Sequence, residues 1–304
     1  MKIYINRKPV LGPWGGGNLW VKSAYEFFPS FGIEVVDLSE DPDVILLAGM
    51  SQDNNGISAS QAMAYKEWRK KSGKDVKIVF RVNENDSRKN TRGLDLEIVE
   101  LSQKCDLVVF VSKWLMEYFQ PHIKKPIKSV FIHNGVDSNI FKPLAYKNTK
   151  TPISIVTHHW SDNPLKGFDV YEELDRWIST RQDFAFTYIG RDRKTFLNSK
   201  VVPPLFGTAL GEELSKHDVY VSASRFDPGP NHIIEAISCK LPTYVHRDGG
   251  GCVEFAGKDH VYNDMKNLLQ ILENKDFTLN QGWFPSSWND CIKNFVSAIK
   301  NLHY

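Results

Sequence analysis

Two acids with seven residues between them, Asp227 and Glu235, close the segment Asp227-Pro228-Gly229-Pro230-Asn231-His232-Ile233-Ile234-Glu235. With the first acid in a loop and the second in the opening turns of a helix, both carboxylates can face one pocket. There the ionised oxygens accept hydrogen bonds from ribose or sugar hydroxyls. Ala236, Pro242 and Gly249-Gly250-Gly251 with Glu254 follow, and that combination is rarer than the two acids alone. Upstream, Lys166-Gly167 opens a helix-like stretch, and a lysine at a helix start can neutralise a departing diphosphate. Near the N-terminus, Gly12-Pro13-Trp14-Gly15-Gly16-Gly17-Asn18 joins a strand-like run to a helix-like one. Such glycines either make a tight turn or let backbone N–H groups approach a phosphate or sugar at the positive end of the helix. The dinucleotide fingerprint G-x-G-x-x-G is absent.

A further polar group, Phe80-Arg81-Val82-Asn83-Glu84-Asn85-Asp86, ends a strand-like run, where α/β sheets place their sites. Arg81, Asn83 and Glu84 are candidates there, and Arg81 could equally be a structural cation paired with a nearby acid. No metal is expected. Asp41-Pro42-Asp43 precedes a strand where a bend is needed, the nine histidines show no H-E-x-x-H spacing, and adjacent His158-His159 chelate poorly. His232 reads as a pocket group rather than a ligand.

The elements that must position these residues are legible as alternation. Strand-like runs at Lys2–Ile5, Ile33–Val36, Val44–Ala48, Lys77–Val82, Leu107–Val111 and Ser129–His133 alternate with helix-like stretches at Leu19–Pro29, Ala59–Lys71, Leu94–Lys104 and Lys113–Gln120. The pattern pauses over Asp137–Lys150 and resumes. Strands are expected at Ile153–Thr157, Phe184–Ile189, Val201–Leu205, Val219–Ser222 and Thr243–His246, with helices at Phe168–Ile178, Glu212–Lys216 and Ile233–Cys239. Strands alternating with helices imply parallel sheets covered on both faces. Two doubly wound domains are therefore expected, residues 1–145 and 146–286. In a final stretch, 287–304, Ser287 caps an amphipathic helix carrying Trp288, Ile292, Phe295, Val296, Ile299 and Leu302.

The length of 304 residues suits two domains, and 41% hydrophobic with 24% charged residues excludes a disordered or fibrous chain. A net charge of +2 announces no nucleic-acid or membrane partner by itself. Four scattered cysteines suggest reduced thiols rather than a disulfide framework, and neither a signal peptide nor a spanning run is legible. A cytoplasmic protein is expected, or one peripheral at the inner membrane face. Charge is concentrated over 60–95, where ten basic residues stand against five acidic ones. That segment is either a solvated face or a dock for an anionic saccharide, a lipid-linked phosphate or a nucleic acid.

Taken in order, these motifs resemble the family-4 glycosyltransferases, retaining enzymes of the GT-B fold. The resemblance runs through Gly15-Gly16-Gly17-Asn18, His133-Asn134-Gly135-Val136-Asp137 with Phe141-Lys142-Pro143, Lys166-Gly167, Asp227-x7-Glu235, and Gly250-Gly251-x-x-Glu254. It implies two Rossmann-like domains facing an interdomain cleft, with a nucleotide diphosphate sugar as donor substrate and no cofactor. Lys166 would meet the diphosphate, Glu235 the ribose hydroxyls, and Asp227 the donor sugar, together with Gly229, Asn231 and His232. Gly15, Gly16 and Gly17 would approach the distal phosphate or sugar, and Glu254 would complete the donor site. Arg81, Asn83 and Glu84 would stand on the acceptor side.

The chain departs from the family in three places. His158-His159-Trp160-Ser161-Asp162-Asn163 stands where an arginine usually precedes the lysine, so Arg191, Arg193 and Lys194 are either candidates for that cation or an exposed basic loop. Pro230 removes a backbone donor from the donor loop, and Lys240 stands in place of a glycine. The implied acceptor is a cell-envelope saccharide or lipid-linked molecule. The alternatives are a modified base in DNA, as for phage enzymes, or a nucleotide-sugar epimerase or non-catalytic nucleotide-binding module on the same fold.

Overall fold

The computed structural model describes residues 1–12, 15–50, 56–144, 152–191 and 196–302. The chain divides into two units, Met1–Gly135 with Trp288–Tyr304, and Val136–Ser287. The first does not extend to 145. Val136 and Phe141 are buried in the apolar core of the second, where Ser238 Oγ donates to the Phe141 carbonyl at 2.6 Å. The polar stretch expected around 146–150 lies outside the described residues.

In the first unit, strands β1 (Lys2–Ile5), β2 (Glu34–Val35), β3 (Val44–Leu47), β4 (Lys77–Val82), β5 (Leu107–Phe110) and β6 (Ser129–Phe131) form one sheet. Its order is β2-β1-β3-β4-β5-β6 and every pairing is parallel. Helices α1 (Gly16–Phe27), α2 (Ala59–Lys71), α3 (Asp86–Lys89), α4 (Leu94–Ser102) and α5 (Lys113–Phe119) connect them. Runs such as Val44–Leu47 are apolar throughout because both faces of a parallel sheet are covered.

The second unit carries β7 (Ile153–His159), β8 (Phe184–Gly190), β9 (Lys200–Val202), β10 (Val219–Ser222), β11 (Thr243–His246) and β12 (Val261–Tyr262). These strands are again all parallel, in the order β12-β11-β10-β7-β8-β9. Its helices are α6 (Phe168–Ile178), α7 (Gly207–Leu214), α8 (Asn231–Ser238), α9 (Gly251–Ala256) and α10 (Met265–Asn274). The chain closes with α11 (Trp288–Lys300), which packs in the first unit. Its Cys291, Ile292, Phe295, Val296 and Ile299 join the core formed by α1 and the sheet, with the Phe295 ring 4.8 Å from that of Trp20.

Several boundaries differ from the sequence reading. The first helix begins at Gly16, three residues before Leu19, so two of the glycines form its first turn. The strand expected to stop at Thr157 runs on through His158 and His159. The helix expected at Glu212–Lys216 is Gly207–Leu214, and its Gly211 lies so close to the Ile140 carbonyl that only a residue without a side chain fits. At Lys240 the backbone is left-handed, φ 58°, a conformation that glycine adopts at less cost.

Candidate functional site

In each sheet the strand order reverses at one point, between β1 and β3 in the first and between β7 and β10 in the second. Connections leave such a point in opposite directions and open a crevice outside the carboxyl ends of the strands. Lys166, Asp227 and Glu235 lie at the second of these points, and the glycine turn after β1 lies at the first, with Arg81, Asn83 and Glu84 at the end of β4 one strand beyond.

At the second, Lys166 ends a 3-10 turn (Pro164–Lys166) between β7 and α6. Asn163 Oδ1 caps that turn by accepting from Leu165 N at 2.8 Å. Lys166 Nζ donates to Asp227 Oδ2 at 3.2 Å, with the two side chains only 13% and 9% exposed. The lysine turn is tied to the loop after β10 by Arg225, whose backbone N–H donates to the Leu165 carbonyl at 2.9 Å. The Arg225 guanidinium also grips both Asp169 oxygens, at 3.0 and 2.6 Å.

The glycines before Glu254 have a structural explanation of their own. Asp227 N–H donates to the Gly249 carbonyl at 3.1 Å, and Gly251 N–H donates to the Asp227 carbonyl at 2.8 Å. Gly250, at φ 66° and ψ −126°, would bring a Cβ to 2.9 Å from the Asp227 carbonyl. Gly250 and Gly251 therefore let the start of α9 pair with the Asp227 backbone and hold the carboxylate at its post. Glu254 lies in the first turn of α9, half-buried. Gly229 and Asn231 flank Pro230, which caps α8 where a missing N–H costs nothing.

Glu235 lies one turn into α8, and its Oε2 meets His158 Nε2 at 2.8 Å. The other ring nitrogen of His158 is 3.2 Å from the Tyr220 hydroxyl. His232 Nε2 meets Ser222 Oγ at 2.9 Å, and its ring centroid lies 6.2 Å from that of His158 and 5.0 Å from that of His159. The two acids thus belong to one buried cluster, each against a different cation or imidazole. His158 and Tyr220 were missed as site residues. The signal was present: the run Ile153-Ser154-Ile155-Val156-Thr157-His158-His159 meets no turn residues until Trp160-Ser161-Asp162-Asn163-Pro164, so the strand carries both histidines to the carboxyl edge.

Asp227, His232 and Cys252 bring their ligand atoms within 4.8 Å of one another, all three buried, a grouping the sequence did not suggest. The Lys166 ammonium already supplies positive charge to that carboxylate. Arg191, proposed as a diphosphate cation, places its guanidinium 4.7 Å from the Trp160 ring centroid. Arg193 and Lys194 lie outside the described residues.

In the first unit, Gly15 caps α1 without a side-chain hydrogen bond, and no acid sits in the first turn. A Cβ on Gly17 would come within 3.0 Å of Asn83 Nδ2, and one on Gly49 within 3.3 Å of Asn83 Oδ1, so Asn83 closes against the glycine turn. Glu84 pairs with Lys89 at 3.5 Å.

Arg81 is only 2% exposed and reaches no solvent. Its guanidinium lies 4.8 Å over Trp20 and donates to Asn134 Oδ1 at 2.7 Å; among the described residues no carboxylate pairs with it. Neither expectation for Arg81, an acceptor-facing group or an acid-paired cation, matches that environment. Burial pulls its pKa down from the ordinary guanidinium value to about 10. Holding the charge at neutral pH therefore costs about 3 kcal/mol, partly returned by the ring and amide contacts. Arg81→Met should leave the thermal midpoint unchanged or raised; a clear fall would show that Trp20 and Asn134 outweigh the buried charge.

Part of the basic segment is neutralised within its own unit, while Lys70, Lys71 and Arg92 are exposed. Lys66 meets Asp106 at 2.6 Å, Arg69 meets Asp41 at 2.7 Å, Lys74 bridges Asp41 and Asp43, and Lys77 meets Asp75. This also accounts for Asp41 and Asp43 as structural partners rather than a metal pair. No helix among the described residues is long and apolar enough to cross a membrane.

No protein-family model and no curated protein matches the chain. Solved structures do. Over 99% of its length the chain is similar to 99% of a sucrose-phosphate synthase from Thermosynechococcus elongatus, at 13% identity and a TM-score of 0.72. Against HepE of Anabaena in complex with UDP, identity is 14% and the TM-score 0.73, covering 99% of this chain and 100% of that one. The pneumococcal O-GlcNAc transferase GtfA, in complex with UDP and GlcNAc, matches at 12% identity and a TM-score of 0.67, over 93% of this chain and 60% of GtfA. At such identities the likeness shows the fold. The chain has the GT-B architecture, two Rossmann-like units, that its motifs implied.

Proposed function

We propose that the protein is a glycosyltransferase that moves a sugar from a nucleoside diphosphate sugar to a hydroxyl of a saccharide or lipid-linked acceptor. The carrying observation is the buried cluster at the switch point of the second sheet, where Lys166 meets Asp227 and His158 meets Glu235. UDP-linked sugars are the first donors to try, because similar structures hold UDP and one holds UDP-glucose.

In this reading Lys166 swings from Asp227 onto the donor diphosphate and stabilises the charge that develops as the glycosidic bond breaks, and no metal is required. Asp227 accepts from the donor sugar, aided by Gly229, Asn231 and His232, while Glu235 accepts from the ribose diol. Transfer proceeds with retention of configuration. A saccharide or lipid-linked acceptor is favoured over a nucleic acid, since Lys66, Arg69, Lys74 and Lys77 of the basic segment are already paired with carboxylates.

The test is nucleotide release over a panel of nucleoside diphosphate sugars, with and without saccharide and lipid-linked acceptors. Release that requires an acceptor is expected for one donor. Interconversion of the free donor without an acceptor would identify an epimerase instead, and binding with no turnover a non-catalytic module. Glu235→Ala should abolish or greatly reduce transfer in a folded protein; full activity in that variant would remove Glu235 from the site.

A further inference from the structure

The Glu235 carboxylate is held from behind by a relay spanning three elements. Tyr220, on β10, is fully buried, and its hydroxyl accepts from the His158 backbone N–H at 3.1 Å. The same hydroxyl lies 3.2 Å from His158 Nδ1 and 3.4 Å from the His158 carbonyl. An ionised carboxylate only accepts, so the 2.8 Å contact of Glu235 Oε2 with His158 Nε2 places an N–H on Nε2, and Nδ1 faces the Tyr220 hydroxyl. The His158 and Glu235 side chains are 9% and 12% exposed, so little water competes for this bond.

We propose that His158, set by Tyr220, is a positioning residue for Glu235 that gives the donor site its selectivity for nucleosides with free ribose hydroxyls. The proposal rests on the donor-site reading above and deepens it. A glutamate side chain left to itself loses rotamer freedom when a ligand orders it. His158 removes that cost before binding by fixing one oxygen. Oε1 and the second lone pair of Oε2 then remain as acceptors, the pair that two neighbouring hydroxyls of one ribose require. A nucleotide lacking those hydroxyls gains nothing from the arrangement.

The experiment measures the affinity of the purified protein for UDP and for its dideoxyribose analogue, in wild type, His158→Phe, His158→Gln, Tyr220→Phe and Glu235→Ala. His158→Phe should weaken UDP binding by about tenfold, the value of one hydrogen bond to a charged group, while the analogue changes by less than about twofold. His158→Gln, which retains an N–H donor, should recover much of the UDP affinity. Equal losses for both ligands, or unchanged UDP binding, would overturn the proposal. Should Phe at 158 fail to fold, Tyr220→Phe, which removes one hydroxyl, carries the same comparison. Glu235→Ala separates the two readings: if it binds UDP like wild type, the donor-site assignment itself fails. If it loses UDP affinity while the His158 variants do not, only the positioning role fails.

Discussion

Lys166→Ala is expected to lower turnover by about a hundred- to a thousandfold, the effect of removing one group aimed at developing charge. The change also leaves the Asp227 carboxylate, 9% exposed, without its ammonium partner. Breaking a largely buried ion pair by removing one partner costs on the order of 3 kcal/mol, so the variant should also melt at lower temperature. These two consequences can be separated. Lys166→Met combined with Asp227→Asn removes both charges, and should regain most of the lost stability while remaining inactive. Calorimetry on the three proteins, with single-turnover kinetics, reads both effects. A Lys166→Ala enzyme with wild-type turnover would take the leaving-group role away from this residue.

Gly167→Ala should be among the most damaging single changes in the second unit. The backbone at Gly167 is left-handed, φ 89°, and a Cβ there would run into the Cβ and carbonyl of Ala223. The left-handed penalty and the overpacking together come to roughly 2–5 kcal/mol. For a unit of this size each kcal/mol lowers the midpoint by roughly 2–4 °C. Ala223 follows directly on β10, so relief requires movement in the loop that leads to Asp227, and activity should fall with stability. Gly207→Ala is the control: its φ is 55°, yet nothing lies within 4 Å of an added Cβ. Alanine at 207 should cost only the conformational term, about 1–2 kcal/mol. Equal midpoints for the two variants would show that the approach to Ala223 is not what requires glycine.

Local pattern carried much of this protein's organisation. The parallel strands β3, β4 and β10 are short apolar runs bounded by turn residues, and α2 and α6 carry clear starts. Ser58 caps α2 and exchanges hydrogen bonds with Gln61, and Gly167 opens α6. Asp227, Glu235 and Lys166 could be singled out because their spacing to glycine and proline is unusual, and they do gather in one unit. Pattern failed where a residue's surroundings come from distant segments. Arg81 looked like a pocket arginine in the local sequence, whereas Trp20 and Asn134, from elsewhere in the chain, enclose it. Within the basic segment 60–95, Lys70, Lys71, Lys89 and Arg92 are exposed, whereas Lys66, Arg69 and Lys74 are met by Asp41, Asp43 and Asp106 from outside the segment.

By itself the sequence determined the alternation of strands and helices, and hence two parallel sheets, because hydrophobic periodicity and turn chemistry act over a few residues. It also determined which acids, glycines and lysine stand at loop-to-helix junctions. Only the tertiary structure decided what each of them meets. Gly250 and Gly251 serve to let a helix start pair with the Asp227 backbone, and Glu235 is set by an imidazole from β7 and a hydroxyl from β10. Those partners lie up to 77 residues apart along the chain. No local rule brings them together; strand order does, by placing β7 beside β10 at the point where the sheet reverses.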